Sequence, residues 1–165
     1  MKAIEDIMAD KIIGLVDFVL SKIIKPDITV DKVGQLNEEE IESIKKEYGI
    51  EGIILDVDET LRKEMKNIPL CNQKWIESLK GRIKVVVLSN GVDGKIEEYF
   101  KDKGIDYIGF AHKPLKKNFM KACEIMEIEP DKVLVVGDSL LDDVYGGKRN
   151  RMRTVLVKEV DDGER

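Results

Sequence analysis

The sequence predicts an α/β fold, a doubly wound, Rossmann-like parallel sheet of about five strands flanked by helices. Three observations predict it. From about residue 50 onward, short apolar runs alternate with amphipathic segments rich in lysine and glutamate. The runs, such as Ile53-Ile54-Leu55 and Val133-Leu134-Val135-Val136, are continuous rather than alternating, as strands covered on both faces must be. Glycines stand where helices should stop, at Gly49, Gly81 and Gly104.

The elements follow in order. From Ala3 to about Ile24, apolar residues recur at helical spacing (Ile4, Ile7, Met8, Ile12, Leu15, Val16, Val19, Leu20, Ile23), and Pro26 closes the run. The simpler reading is a helix that covers the sheet; the sharper one is an amphipathic helix lying on a membrane surface or a partner. In "NEEEIESIKKEYG", Asn37 is the N-cap, Glu40 follows three residues on, and Gly49 is the stop. Strands are then expected at 52–56, 83–89, 106–110, 132–137 and 154–158, and helices at about 71–80, 93–103, 115–127 and 141–149. Gly146-Gly147 reads as the stop of the last helix, and Trp75, at helical spacing with Leu79, as core. The expected organisation is one domain over 1–165, with an N-terminal helix at 1–25, the core at 50–158 and a flexible tail at 159–165 ending in "DDGER".

Bulk properties narrow the classes. The chain has 165 residues, enough for one domain with a real core. A net charge of −5 argues against nucleic acid as main partner, since phosphate backbones are bound by basic surfaces. Two cysteines, Cys71 and Cys123, lie far apart and fit no metal-ligand spacing, which suits a reduced, cytoplasmic setting. Asp17 interrupts "KIIGLVDFVL", no small-residue cleavage site follows, and no apolar run approaches the roughly 18–20 residues of a membrane span, so neither a signal peptide nor a transmembrane helix is expected.

In a sheet of this kind, ligands bind at the carboxyl ends of the strands. The first strand of the core ends in Asp56-Val57-Asp58-Glu59-Thr60, and the second in Ser89 and Asn90. The third is followed by "AHKPL", with Lys113, and the fourth ends in Asp138, with Asp142 and Asp143 beyond it. Period-two spacing puts Asp56 and Asp58 on one side, where like charges repel. Phosphoryl transfer makes that crowding useful. A carboxylate can attack phosphorus, Mg²⁺ can lie between the two anions, and a hydroxyl and a lysine can hold the remaining oxygens. Asp56, Asp58 and Asp138 are expected to converge with Lys113 as the only nearby cation, which leaves uncompensated negative charge. His112, the only histidine, reads as a bystander beside Lys113.

These residues resemble a known family. "DVDET" is similar to the first motif of the haloacid-dehalogenase-like (HAD) phosphatases, Asp-x-Asp-x-Thr after a buried strand. "LSN", "HKP" and "GDSLLDD" resemble their second, third and fourth motifs, in the right order over about residues 50–158. More narrowly, "KPDITVDKVGQL…GIEGIILDVDETL", "KPLKKNF" and "VGDSLLDDVYGGKRNRMRTVLV" are similar to the YqeG family, grouped with the phosphatidylglycerophosphate phosphatase of yeast mitochondria.

The resemblance implies that Asp56 is the nucleophile and Asp58 the general acid. Thr60 supports the loop, and Ser89, with Asn90 beside it, donates to the phosphoryl group. Lys113 neutralises the phosphate and orients Asp56. Asp138 binds Mg²⁺ with Asp56 and the backbone carbonyl of Asp58. The second acid of the fourth motif aligns with Asp143, Asp142 standing where the family often has a neutral residue. Other departures are Glu59, Gly91 and Lys148, each for an asparagine, and Arg151 for a glycine.

About 30 residues separate Asp58 from Ser89, filled by a loop and one helix, so no large cap domain fits there and the site should be open. An open site suits a substrate carried on something large, such as a protein, a polymer or a lipid head group at the inner membrane face. The family resemblance favours phosphatidylglycerophosphate. Two rivals remain: a receiver-like domain, and a catalytically idle binding or scaffold module. In a receiver the phosphorylated aspartate ends the third strand, whereas "DYIGF" ends without one, and idleness has no support while Asp56, Asp58, Lys113 and Asp138 are all present.

Overall fold

The computed structural model describes residues 2–163, and the remaining residues, Glu164 and Arg165 of the expected tail among them, lie outside that range. Among the described residues there are six strands: β1 (Ile28–Val30), β2 (Gly52–Leu55), β3 (Lys84–Leu88), β4 (Asp106–Ile108), β5 (Val133–Gly137) and β6 (Arg153–Val157). They pair in parallel throughout, in the order β1-β6-β5-β2-β3-β4. The five expected strands all occur within two residues of their expected bounds. The sixth, β1, is an edge strand of three residues pinned by Asp27. That carboxylate accepts from the Thr154 backbone N–H at 2.9 Å and pairs with Lys148 at 3.2 Å and Arg153 at 3.3 Å.

The helices are α1 (Lys2–Ile23), α2 (Glu38–Tyr48), α3 (Leu70–Leu79), α4 (Gly94–Asp102), α5 (Lys116–Met126) and a short α6 (Gly146–Arg149), reached through a π-helical segment, Leu140–Tyr145. Asn37 caps α2 through a 2.9 Å bond from the Glu40 N–H, and Gly49 closes it in the left-handed region at φ 69°.

Alternate strand residues feed two apolar layers. Ile53, Leu55, Val87, Leu134, Val136 and Val155 face α2, α3 and α4, meeting Ile41, Ile44, Trp75, Ile76, Leu79 and Phe100. Trp75 also donates its indole N–H to the Leu36 carbonyl at 2.7 Å. Ile54, Val86, Leu88, Val133 and Val135 face α5, meeting Phe119, Ala122, Cys123 and Met126. Full burial of Phe100 and Phe119 contributes roughly 1.5–3 kcal/mol each. Helices on both faces of a parallel sheet define the doubly wound fold.

Two expectations are corrected. First, α1 does not cover the sheet: from Ala3 to Ile23 every residue is exposed except half-buried Leu20. It approaches the Leu140–Tyr145 segment instead. No helix among the described residues is long and apolar enough to cross a membrane. Second, Gly146 and Gly147 do not stop the last helix; they begin α6 and let it press into the core. A Cβ on Gly146 would stand 2.6 Å from the Phe119 ring, and one on Gly147 would stand 2.8 Å from Thr154 Cγ2 and 2.9 Å from Val135 Cγ2. The expected tail is anchored at its start, where Val160 is buried and the Asp161 carbonyl accepts from Asn72 Nδ2 at 3.1 Å.

Gly147→Ala should therefore overpack the α6–sheet contact and lower stability by about 1–3 kcal/mol. Denaturant unfolding checks this; an unchanged midpoint would mean that the glycine is not required by packing.

Candidate active site

β2 and β5 lie side by side at the centre of the sheet, and the chain leaves them in opposite directions, which opens a crevice at their carboxyl ends. Asp56 continues β2, its N–H donating to the Val136 carbonyl at 3.0 Å, and Asp138 follows β5 directly. The loop after β4 brings in Lys113, whose Nζ donates to Asp56 Oδ1 and to Asp143 Oδ1, both at 2.7 Å. Lys113, Asp56 and Asp143 are all buried. Thr60 Oγ1 bridges Asp56 Oδ2 at 2.7 Å and Asp138 Oδ1 at 3.1 Å. Asp143 accepts a further bond from the Ser139 N–H at 3.1 Å.

The Asp143 carboxylate fits under the strand end because residue 137 has no side chain: a Cβ there would lie 2.2 Å from the Asp143 carboxyl carbon. Gly137, at the end of the "VLVVGD" run, is thus a site residue through its missing atom.

One ammonium serves several acids. Burial opposes the charge on Lys113, but Asp143 and then Asp56 outweigh it and hold its pKa above the ordinary lysine value. Burial pushes the Asp143 carboxyl up to about 7 against the pull of Lys113. Burial, then the Asp56 charge, pushes Asp138 up to about 8, and no cation pairs with Asp138 among the described residues. Asp142 also lies above the usual carboxylate range through burial, with Lys113 opposing and Asp56 and Asp17 of α1 adding to the rise.

The structure brings together Asp56, Thr60, Lys113, Asp138 and Asp143, and the 4-motif edge is lined further by Asp58, Ser89, Asn90, Gly91 and Asp142 around a cavity of about 180 Å³. Of the two adjacent acids, Asp143 reaches Lys113, while Asp142 accepts from Asn90 Nδ2 at 3.2 Å. Asn90 Oδ1 in turn accepts from the Lys113 N–H at 2.7 Å and fixes that loop against β3. Ser89 is buried beside the cavity. His112 is exposed and holds a left-handed φ of 52°.

The expectation that Lys113 is the only nearby cation is corrected. Arg62, buried four residues after Asp58, donates Nε–H to Asp58 Oδ1 at 2.8 Å. Its Nη1 reaches Asp93 Oδ2 at 2.9 Å and the Lys66 carbonyl at 3.0 Å. The Asp58 side chain therefore turns toward Arg62. The carboxylate trio is Asp56, Asp138 and Asp143, with one oxygen from each lying within 4.8 Å of the others. Three carboxylates against one ammonium, offering oxygen donors alone, fit a hard divalent cation.

A family model described as HAD-hydrolase-like matches residues 110–161, which carry Lys113, Asp138 and Asp143. The chain is 35% identical over 143 residues to the "Probable phosphatase YqeG" of Bacillus subtilis, covering 86% of this chain and 81% of that relative. The chain belongs to the HAD-like phosphatases, in the family of YqeG. A shorter match, 33% identical over 64 residues and 27% of the relative's length, links it to the "Glyceraldehyde 3-phosphate phosphatase" of Pyrococcus furiosus. Among solved structures, an uncharacterized protein from Listeria monocytogenes shares the fold at a TM-score of 0.55 and 19% identity, over 70% of this chain and 84% of that one.

The charge imbalance sets a pH dependence. Asp138 and Asp143 have folded values of about 8 and about 7, raised from an ordinary 3.8, so the folded form holds these protons more tightly than the unfolded chain. Their stabilising contribution is full below the unfolded value and is lost as pH rises through the folded ones. In chelator, the melting temperature should fall as pH rises from about 5 to about 8.5, and less steeply in Asp138→Asn. A cation bound by the folded form alone should oppose the fall, adding about 2.7 kcal/mol at a hundred times its dissociation constant. Thermal melts across pH, with and without Mg²⁺, check this, and equal slopes in both proteins would show that Asp138 is not in the charge cluster.

Proposed function

We propose that this phosphatase hydrolyses a phosphomonoester through an aspartyl-phosphate formed on Asp56, with Mg²⁺ held by Asp56 and Asp138, Asp143 standing beside them. The observation that carries the reading is the Lys113 bridge: a buried ammonium fixes Asp56 by one oxygen and balances part of the charge an incoming phosphate would meet. The other Asp56 oxygen accepts from Thr60, which orients the carboxylate for attack. Asp58, two residues on and at the edge of the same cavity, protonates the leaving oxygen and later takes a proton from the water that opens the acyl phosphate. Ser89, with Asn90 at the rim, donates to the phosphoryl oxygens. When bound, the metal supplies a Lewis acid for those oxygens.

Asp56→Asn should abolish turnover of glycerol phosphate, because the amide is nearly isosteric but does not attack phosphorus. Asp58→Asn should slow it by roughly 10²–10⁴-fold. Steady-state assays with Mg²⁺ test both, and either variant keeping more than about a tenth of the wild-type rate overturns the mechanism. Trapping of acid-stable label on the protein with no continued turnover would favour the receiver-like reading instead.

The substrate we propose is a phosphorylated lipid head group such as phosphatidylglycerophosphate. Two features support it. The segments that follow β2, β3, β4 and β5 present exposed apolar side chains: Met65, Val92, Phe110 with Leu115, and Tyr145. Beside them α1 displays Ile4, Ile7, Met8, Ile12, Leu15, Phe18 and Ile23 to solvent. Peripheral contact of this edge with a membrane would bring the cavity to head-group level.

Removing residues 1–22 should leave the melting temperature and activity on a soluble phosphate ester near wild type, because this helix buries little. Activity on lipid in vesicles should fall about tenfold or more, as apolar contact area is lost. Equal activity of the two proteins on vesicles would remove α1 from the lipid reading.

A further inference from the structure

We propose that Arg62 is a positioning residue for the reaction: it holds Asp58 by one oxygen so that the other faces the phosphoryl cavity. This rests on the reading of Asp58 as the proton donor.

The geometry divides the two oxygens of Asp58 between different tasks. Oδ1 accepts from Arg62 Nε–H at 2.8 Å. Oδ2 lies on the side of Gly91 and Ser89, which line the cavity with it: a Cβ built on Gly91 would stand 3.7 Å from Oδ2 and 3.9 Å from Ser89 Oγ. Oδ1 already accepts the Arg62 N–H, so Oδ2 is the oxygen left to carry the proton that the proton-donor reading gives Asp58. As an Asp56 oxygen bonds to phosphorus and the ester P–O bond breaks, the bonding pair goes to the leaving oxygen, which takes that Oδ2 proton. Asp58 is left as a carboxylate, still held by Arg62, ready to take the proton back from water.

Arg62 can set this geometry because it is itself fixed. Its Nη1 bonds Asp93 Oδ2 and the Lys66 carbonyl. Asp93 is anchored in turn, its Oδ1 accepting from the Lys95 N–H at 3.0 Å and capping α4. The Leu61 carbonyl, one residue before Arg62, accepts from buried Asn72 at 2.8 Å. A rigid planar fork between two carboxylates is the role in which arginine and lysine differ most. Lysine keeps the charge but forms no such fork.

The test reads the leaving group. Arg62→Lys and Arg62→Gln are compared with wild type and Asp58→Asn, using kcat/KM on p-nitrophenyl phosphate, whose leaving group needs little protonation, and on glycerol phosphate, whose alkoxide needs a proton. kcat/KM reports only steps up to ester cleavage, so water activation does not enter. Both Arg62 variants should lose about tenfold or more on glycerol phosphate and less than about threefold on the aryl ester, with inhibition by inorganic phosphate unchanged. Equal losses on the two esters would make Arg62 a merely structural residue and overturn the inference, as would no loss in either variant while Asp58→Asn shows the leaving-group effect. If Asp58→Asn itself shows no leaving-group effect, the proton-donor reading fails instead, which is a separate result.

Discussion

The bond pair from Lys113 to Asp56 and Asp143 is the constraint on which the site depends. Three carboxylates are drawn into one crevice, and without that ammonium their repulsion and their lost hydration would push the strand ends apart. Each surrounding feature serves this contact. Gly137 leaves the space that Asp143 fills. Asn90 ties down the Lys113 backbone, and Phe110 and His112 in the same loop accept left-handed backbone at φ 46° and 52°, a conformation costing on the order of 1–3 kcal/mol per residue. Strain of that kind persists only where the surroundings overdetermine it.

A second charge cluster stands beside the first and is kept separate. Asp58 and Asp93 belong to Arg62, on the side of β3 and α4, while Asp56 and Asp143 belong to Lys113, on the side of β5. The two carboxylates of the "DVD" stretch thus face different cations, so chemically alike groups two residues apart sit in different electrostatic surroundings. The cluster around Lys113 remains short of positive charge, the condition that suits a divalent cation.

Much of this was legible in the chain. Continuous apolar runs located five strands, because a strand buried on both faces leaves no polar positions to confuse the period. Asn37, Glu40 and Gly49 located α2 by cap chemistry that is wholly local. The strand-end residues Asp56, Thr60, Lys113, Asp138 and Asp143 do meet, since a doubly wound sheet sends all its strand ends to one edge. The unread features are those decided by distant partners. β1 is three residues whose identity as a strand comes only from β6. The role of Arg62 depends on Asp93, 31 residues away, although its place four residues after Asp58 was a usable signal. The glycines at 146 and 147 look like a helix stop locally and serve close packing globally. Two departures from the family pattern carry a backbone cost: Glu59 and Arg151 hold positive φ, at 61° and 63°, a conformation that the asparagine and glycine common there adopt more readily.

The wholly parallel sheet has a consequence for how the molecule comes into being. A parallel pair cannot be closed by a tight turn, so every strand pairing here joins segments that are distant along the chain. The first contacts available to the nascent chain are helical turns and their caps, not sheet ladders. Lys113 meets Asp56 across 57 residues and Thr60 meets Asp138 across 78, so no contiguous fragment shorter than the span from β2 to the π-helical segment contains the candidate site. Catalytic competence is therefore a late event in the history of each molecule, present only once the two halves of the sheet have closed on each other.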